Sequence, residues 1–121
     1  MKPIFIICLC SILAACVAPR PDPQVLDTTQ SSIDRAEAVG GDEFAPVEMR
    51  FAREKLASAT LAMEKEKYEV VVYLAEEAEI NAELAIEKSR TAKSRREANE
   101  LRKSNDELHE KLVETFGDEF K

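Results

Sequence analysis

The chain has 121 residues, which suits a single domain. Its net charge of −7 argues against wholesale nucleic-acid binding, which needs surplus positive charge to displace counterions. The three cysteines, Cys8, Cys10 and Cys16, all fall in the first sixteen residues, so no disulfide can staple the rest of the chain, which must hold together by packing.

Lys2 supplies one positive charge, residues 4–13 form an apolar run, and small residues come next. That is the layout of an export signal, and it is too short for a bilayer core, which takes about 20 residues. Leu13-Ala14-Ala15-Cys16 resembles the lipobox of bacterial lipoproteins. The resemblance implies cleavage before Cys16, a diacylglycerol on its thiol and an acyl group on the new amine. Several acyl chains on one residue make membrane attachment effectively permanent, since each buried methylene contributes about 0.8 kcal/mol. Val17 succeeds the cysteine where an Asp would favour retention in the inner membrane, so the sorting rule of enteric lipoproteins points to the outer membrane and its periplasmic face.

Pro19, Pro21 and Pro23 alternate with other residues after the cysteine. Each fixes its own φ and pushes its predecessor out of helical geometry, so residues 16–26 are expected to be a lipidated cysteine and an extended tether. A first helix is expected from Asp27-Thr28-Thr29-Gln30, a capping-type residue with Gln three places on. Its apolar positions (Ile33, Ala36 and Val39) are weak, and Gly40-Gly41 should end it. Pro46 suits the first turn of a second helix, with Glu48 near its positive end.

From there Ala45, Met49, Ala52, Leu56, Ala59 and Met63 are spaced by threes and fours, one stripe on a helix. After Glu64-Lys65-Glu66-Lys67 the pattern resumes with Tyr68, Val71, Ala75, Ala78, Ala82, Ala85, Ser89 and Ala92. Nothing in 64–67 is a strong breaker, so the residues alone leave open a turn there or one helix from Pro46 to Thr115. Two facing stripes of alanine suit an antiparallel hairpin whose backbones approach closely. Alanine buries little area, so Met49, Leu56, Met63, Tyr68 and Leu74 are expected to supply the bulk. The fold class is therefore all-α: an antiparallel helical hairpin of the second and third helices, a short first helix, and a long, coiled-coil-like C-terminal helix stopped by Gly117.

The far part of that helix, 87–116, carries a stripe of its own: Ala98, Leu101, Asn105, Leu108 and Leu112. A polar Asn in such a seam often fixes register and oligomer state, which predicts self-association into a homo-oligomer through these residues. Positive residues gather at Lys88, Arg90, Lys93, Arg95, Arg96, Arg102 and Lys103. They read as partners for nearby acids or as a docking patch for an anionic envelope partner such as cell-wall polymer.

Residues 36–86 resemble a bacterial domain family of unknown function, DUF4398. The resemblance rests on Phe44-Ala45-Pro46 with Glu48-Met49, on Ala52 and Lys55-Leu56, and on Tyr68 succeeded by Leu74-Ala75-Glu76 and Ala78. Val71 departs from the family's tendency to place alanine there, which implies a slightly wider gap at that layer. The resemblance implies an envelope protein with a helical hairpin over 27–86 and a turn at 64–67, and it brings no activity. Some members continue into a peptidoglycan-binding domain; none is present here, so wall binding is not expected by that route. The tail, 117–121, ends in Lys121. In layout the chain resembles Braun's lipoprotein, whose final lysine is joined to peptidoglycan, and that likeness implies a linker between outer membrane and wall.

Catalytic chemistry is not expected. His109 stands alone on a helix, and Glu76, Glu77, Glu79, Glu83 and Glu87 fall at spacings that make a solvated helical face. Neither a phosphate-binding glycine loop nor a G-x-S-x-G turn is present, so neither cofactor nor metal is called for.

Overall fold

The computed structural model describes residues 19–117; Cys16 and its lipobox, and Lys121, lie outside them. Four helices succeed one another: α1 (Gln24–Ala38), α2 (Gly41–Phe44), α3 (Pro46–Glu64) and α4 (Tyr68–Phe116). There is no strand among the described residues.

α1 begins three residues before the expected Asp27, inside what the sequence read as tether. Its start is set by Asp22 and Pro23. The Gln24 amide donates to Asp22 Oδ1 at 2.9 Å, and Pro23 already has helical angles of φ −54° and ψ −26°. An aspartate cap with proline in the first turn satisfies one orphan amide and spares another. At the other end the Gly40 amide donates to the Glu37 carbonyl, and Gly40 itself is left-handed at φ +86°. That reverses the chain, as its glycine suggested.

The turn at 64–67 is present. Lys65, Glu66 and Lys67 amides return to the carbonyls of Leu61, Met63 and Ala62, which closes the C-terminus of α3. The left-handed position falls on Glu66, at φ 56°, not on a glycine. This explains why the residues alone could not decide it: the stop is made by backbone geometry that glutamate adopts at some cost.

α3 and α4 run antiparallel, with Glu48 beside Lys88 at one end and Lys55 beside Glu77 further along. The alanine stripes do face inward. Ala45, Met49, Ala52, Ala59 and Ala62 of the α3 segment and Val71, Ala75, Ala78, Ala82, Ala85, Ile86 and Ser89 of α4 are buried. Of the larger residues expected to supply bulk, Met49 alone is fully buried; Leu56, Met63, Tyr68 and Leu74 sit half-buried at the edges. The missing bulk comes from α1. Ile33 is 1% exposed and Ala36 fully buried, and both join Met49, Ala52, Ala82, Ala85 and Ile86 in one core. The first helix is thus a full third member of a bundle, laid against the near half of α4 and not along its far half.

The direction of α1 is fixed by two contacts. Thr29 Oγ1 lies 2.9 Å from Glu79 Oε1, whereas a side chain at Gly40 would meet the Lys93 stem. As α1 advances, its neighbours on α4 advance too, so these two helices are parallel. The amino-terminal end of the bundle therefore lies at the start of α4, and the tip of α4 lies at the opposite end.

Candidate functional site

The last ion pair between α4 and the rest of the bundle is Arg96 with Glu43, at 3.5 Å. Every residue from 93 to 111 is exposed. Beyond Arg96 about twenty residues of helix project from the bundle, roughly 30 Å at 1.5 Å per residue. The polar contacts described along this projection are local: Arg96 with Glu100, Lys103 with Glu107, and Thr115 Oγ1 donating to the Lys111 carbonyl.

The stripe singled out for self-association lies on this projection. Leu101 is 68% exposed and Leu108 55%. Ala98 and Asn105 are exposed beside them and Leu112 is half-buried. Ala98 stands nine residues beyond Ser89, which is buried, so at about 100° per residue the two point in opposite directions. The stripe faces away from the bundle.

At about 100° per residue the basic residues Lys88, Arg95, Arg96, Arg102 and Lys103 fall within about 120° of one another, whereas Lys93 and Arg90 lie outside that arc. Lys88 and Arg90, two residues apart, lie on nearly opposite sides of the helix. Most are engaged by acids or a ring of their own chain. Lys88 pairs with Glu48, Arg90 with Glu87 at 2.7 Å, and Lys93 sits 5.8 Å over the ring of Phe44. Arg96 stands between Glu43 and Glu100, and Lys103 beside Glu107. Arg95 lines a shallow groove with Ala92, Asn99 and Lys103, and Arg102 is exposed further along.

Charge within the bundle is structural. Arg53 of α3 reaches both carboxylate oxygens of Asp42, at 2.8 and 3.0 Å, and Glu37 at 2.5 Å, which ties α3 to α1 and α2. The Arg53 guanidinium holds the Asp42 carboxyl below its usual range, and the two acids make the guanidinium still harder to deprotonate. The Lys88 ammonium lowers Glu48 in the same way. Glu77 accepts from Lys55 at 2.5 Å and from the Tyr73 hydroxyl at 2.9 Å. Those bonds lower Glu77 and raise both donors.

The dense glutamates of α4 are thereby divided among separate partners. Glu77 belongs to Lys55 and Tyr73, Glu79 to Thr29, and Glu87 to Arg90. Among the described residues no group of three or more His, Cys, Asp or Glu stands close enough to hold a metal ion. His109 is exposed on the projection. Nor, among the described residues, is any helix long and apolar enough to cross a membrane.

Sequence reasoning missed the inward role of α1 and its contacts with α4. The signal was present in Asp22-Pro23, a cap and a helix-starting proline, which places Thr29, Ile33 and Ala36 on one face of a longer helix.

Comparison with known proteins agrees with this architecture. A family model described as a domain of unknown function, DUF4398, matches residues 24–101. It takes in α1 from its first residue and the base of the projection, so it is wider than the 36–86 resemblance. No curated protein matches. The crystal structure of a DUF4398 family protein (PA2901) from Pseudomonas aeruginosa PAO1 is 39% identical and superposes with a TM-score of 0.70, covering 78% of this chain and 99% of that one. With the bundle, the turn and the long last helix in place, the chain belongs to the DUF4398 family, a family of unknown function.

Proposed function

We propose that the protein is a lipoprotein of the cell envelope, held through Cys16 to the periplasmic face of the outer membrane and serving as a non-catalytic interaction or scaffold module. The observation that carries the reading is the projection of α4. A bundle held by an alanine core and surface ion pairs presents some 30 Å of exposed helix, which is a surface for contact and not a cleft for chemistry. Leu13-Ala14-Ala15-Cys16 supports the anchor, and the parallel course of α1 and α4 supports the geometry. An anchor before residue 24 leaves the projection pointing away from the surface that holds it.

The test is a comparison of parent and Cys16→Ser chains in their own envelope. Labelled palmitate should enter the parent only, and only the parent should sediment with outer membranes. Equal labelling and fractionation of the two would overturn the anchored reading. Crosslinking from positions between 88 and 112 should then capture a partner, and its complete absence would remove the scaffold role.

A second reading arises from the same geometry. With lipid at one end and α4 leading away from it, the chain could instead link outer membrane to wall, with Lys121 as the attachment. Muramidase should then release protein carrying a peptidoglycan fragment, and deletion of Lys121 should abolish that adduct. Identical masses from the two strains would dismiss the linker.

A further inference from the structure

We infer that the projection of α4 pairs with the projection of a second copy as a parallel, in-register two-stranded coiled coil over residues 97–116. This deepens the interaction-module reading by naming partner, direction and register; the seam itself does not depend on the lipid.

The heptad frame is read from the exposed stripe. Ala98, Asn105 and Leu112 fall at its a positions and Leu101, Leu108 and the closing Thr115 at its d positions. Leucine at d with a single asparagine at a is the pattern that two parallel strands use, because each asparagine then meets its own copy across the axis. An antiparallel pairing that overlaps the leucine layers would instead set Asn105 against Leu101 or Leu108, leaving its amide without a polar partner, and the alignment that offers it Thr115 sets Lys111 against its own copy. The first of those alignments also brings Arg102 against its own copy.

The flanking charges point the same way. In a parallel pair each g residue faces the e residue five places on in the partner. Those pairs are Glu97 with Arg102, which attract, Ser104 with His109, and Lys111 with Phe116. No like-charged pair occurs between 97 and 116. The acids Asp106, Glu107, Glu110 and Glu114 all fall on outward b, c and f positions, so their mutual sign does not oppose the pairing. Arg96 and Lys103 are also outward and are occupied along their own helix by Glu100 and Glu107.

The bundle leaves room for a second helix. The stripe points away from α1 and α3, and α4 is already folded, so association need not nucleate a helix. Towards the bundle the frame meets Ser94, Thr91 and Glu87, and the flanks meet Arg90 and Arg95. These polar and like-charged positions end the seam near Ala98. Two copies joined in this way have their bundles side by side and both amino-terminal ends on one side, as two anchors in a single bilayer require.

Single Leu101→Cys, Asn105→Cys, Leu108→Cys and Leu112→Cys variants of the full-length chain would be oxidised in isolated envelopes, with the parent as blank and Lys103→Cys and Glu110→Cys as outward controls. Each set would be made with and without Cys16→Ser, so that loss of the anchor is read separately by fractionation. The expected result is a disulfide-linked species of twice the chain mass from all four seam variants, and none above the blank from the controls. Glu97→Lys should reduce linkage at Asn105→Cys, and adding Arg102→Glu should restore it. Linkage from only one seam position would show an antiparallel crossing and overturn the inference. Linkage from none, equal linkage from the controls, or a product of another mass would overturn it as well.

Discussion

Met49 lies directly against Gly41. A β-carbon built on Gly41 would stand 2.7 Å from Met49 Sδ and 2.7 Å from the Ala36 carbonyl oxygen. Gly41 is buried, and its φ is not positive, so here glycine is needed for space. Gly41→Ala should destabilise the bundle by about 1–3 kcal/mol, the usual cost of overpacking. Adding Met49→Ala should not restore stability, because the Ala36 carbonyl belongs to backbone and cannot move aside. Thermal melts of the parent and the two variants would check this.

The alanine seam makes a second prediction. Ala82 is fully buried where α1, α3 and α4 meet, while Ala57 of α3 is exposed. Ala82→Leu adds three carbons where helices touch and should cost about 1–3 kcal/mol or more. Ala57→Leu should stay within about 0.5 kcal/mol of the parent. Equal denaturation midpoints for the two would show that the helices do not approach as closely as described.

Glu66 offers a route to greater stability. It holds the left-handed position of the α3–α4 turn, where a β-carbon is unfavourable. Glu66→Gly should raise stability by about 0.5–1 kcal/mol, the strain relieved exceeding the added freedom of the unfolded chain. Differential scanning calorimetry would register this as a higher Tm.

The ion pairs set a pH window. Asp42, Glu48 and Glu77 titrate below their ordinary values in the folded chain, through Arg53, Lys88 and Lys55 respectively. Their contribution is therefore present above the unfolded carboxylate pKa, about 4, and is lost as pH falls through the lower folded values. Lys55 and Tyr73 titrate above their ordinary values, chiefly through Glu77. Their contribution is present below about pH 10 and is lost as pH rises through the raised values. Melting temperature should thus be flat near neutrality and fall on both sides. Glu77→Gln should flatten the alkaline limb, which rests on Lys55 and Tyr73, and lessen the acid limb, where Asp42 and Glu48 remain. Apart from Glu48, whose side chain is largely covered, these groups are open to solvent, so the effects are modest and salt should weaken them.

Much of the fold was legible in the residues because its core obeys a simple period. Of the stripes from Ala45 to Met63 and from Tyr68 to Ala92, the alanines up to Ala85 with Met49, Val71 and Ser89 are buried, and Leu56, Met63, Tyr68 and Ala92 lie half-buried at the margins. Gly40 and Gly117, both with positive φ, end helices where a glycine is expected to end them. What escaped was non-periodic. α1 displays few apolar side chains, yet Ile33 fills the space that alanines on α3 and α4 leave open. Its importance lies in what it faces, and local sequence does not report that. The residues alone left the turn at 64–67 open, and the family resemblance supplied it, since nothing in a Glu-Lys run distinguishes a strained residue from a helical one. The stripe on the projection was readable as a pattern, and the structure adds that it faces away from the bundle. Five of the seven basic residues share one side of α4, and the structure adds that Lys88, Arg96 and Lys103 among them are engaged by acids of their own chain.

Because α1 and α4 point the same way, the molecule has a foot and a tip, and the distance between them is set by counting residues. Each residue inserted beyond Arg96 would push the tip out by about 1.5 Å and swing it by about 100°. Seven residues change the height by about 10 Å and leave the bearing almost unaltered, whereas two or five would turn the leucines towards the wrong quarter. Span and heading are separable here, so a gap of different width could be met by adding or removing whole heptads without redesigning either extremity.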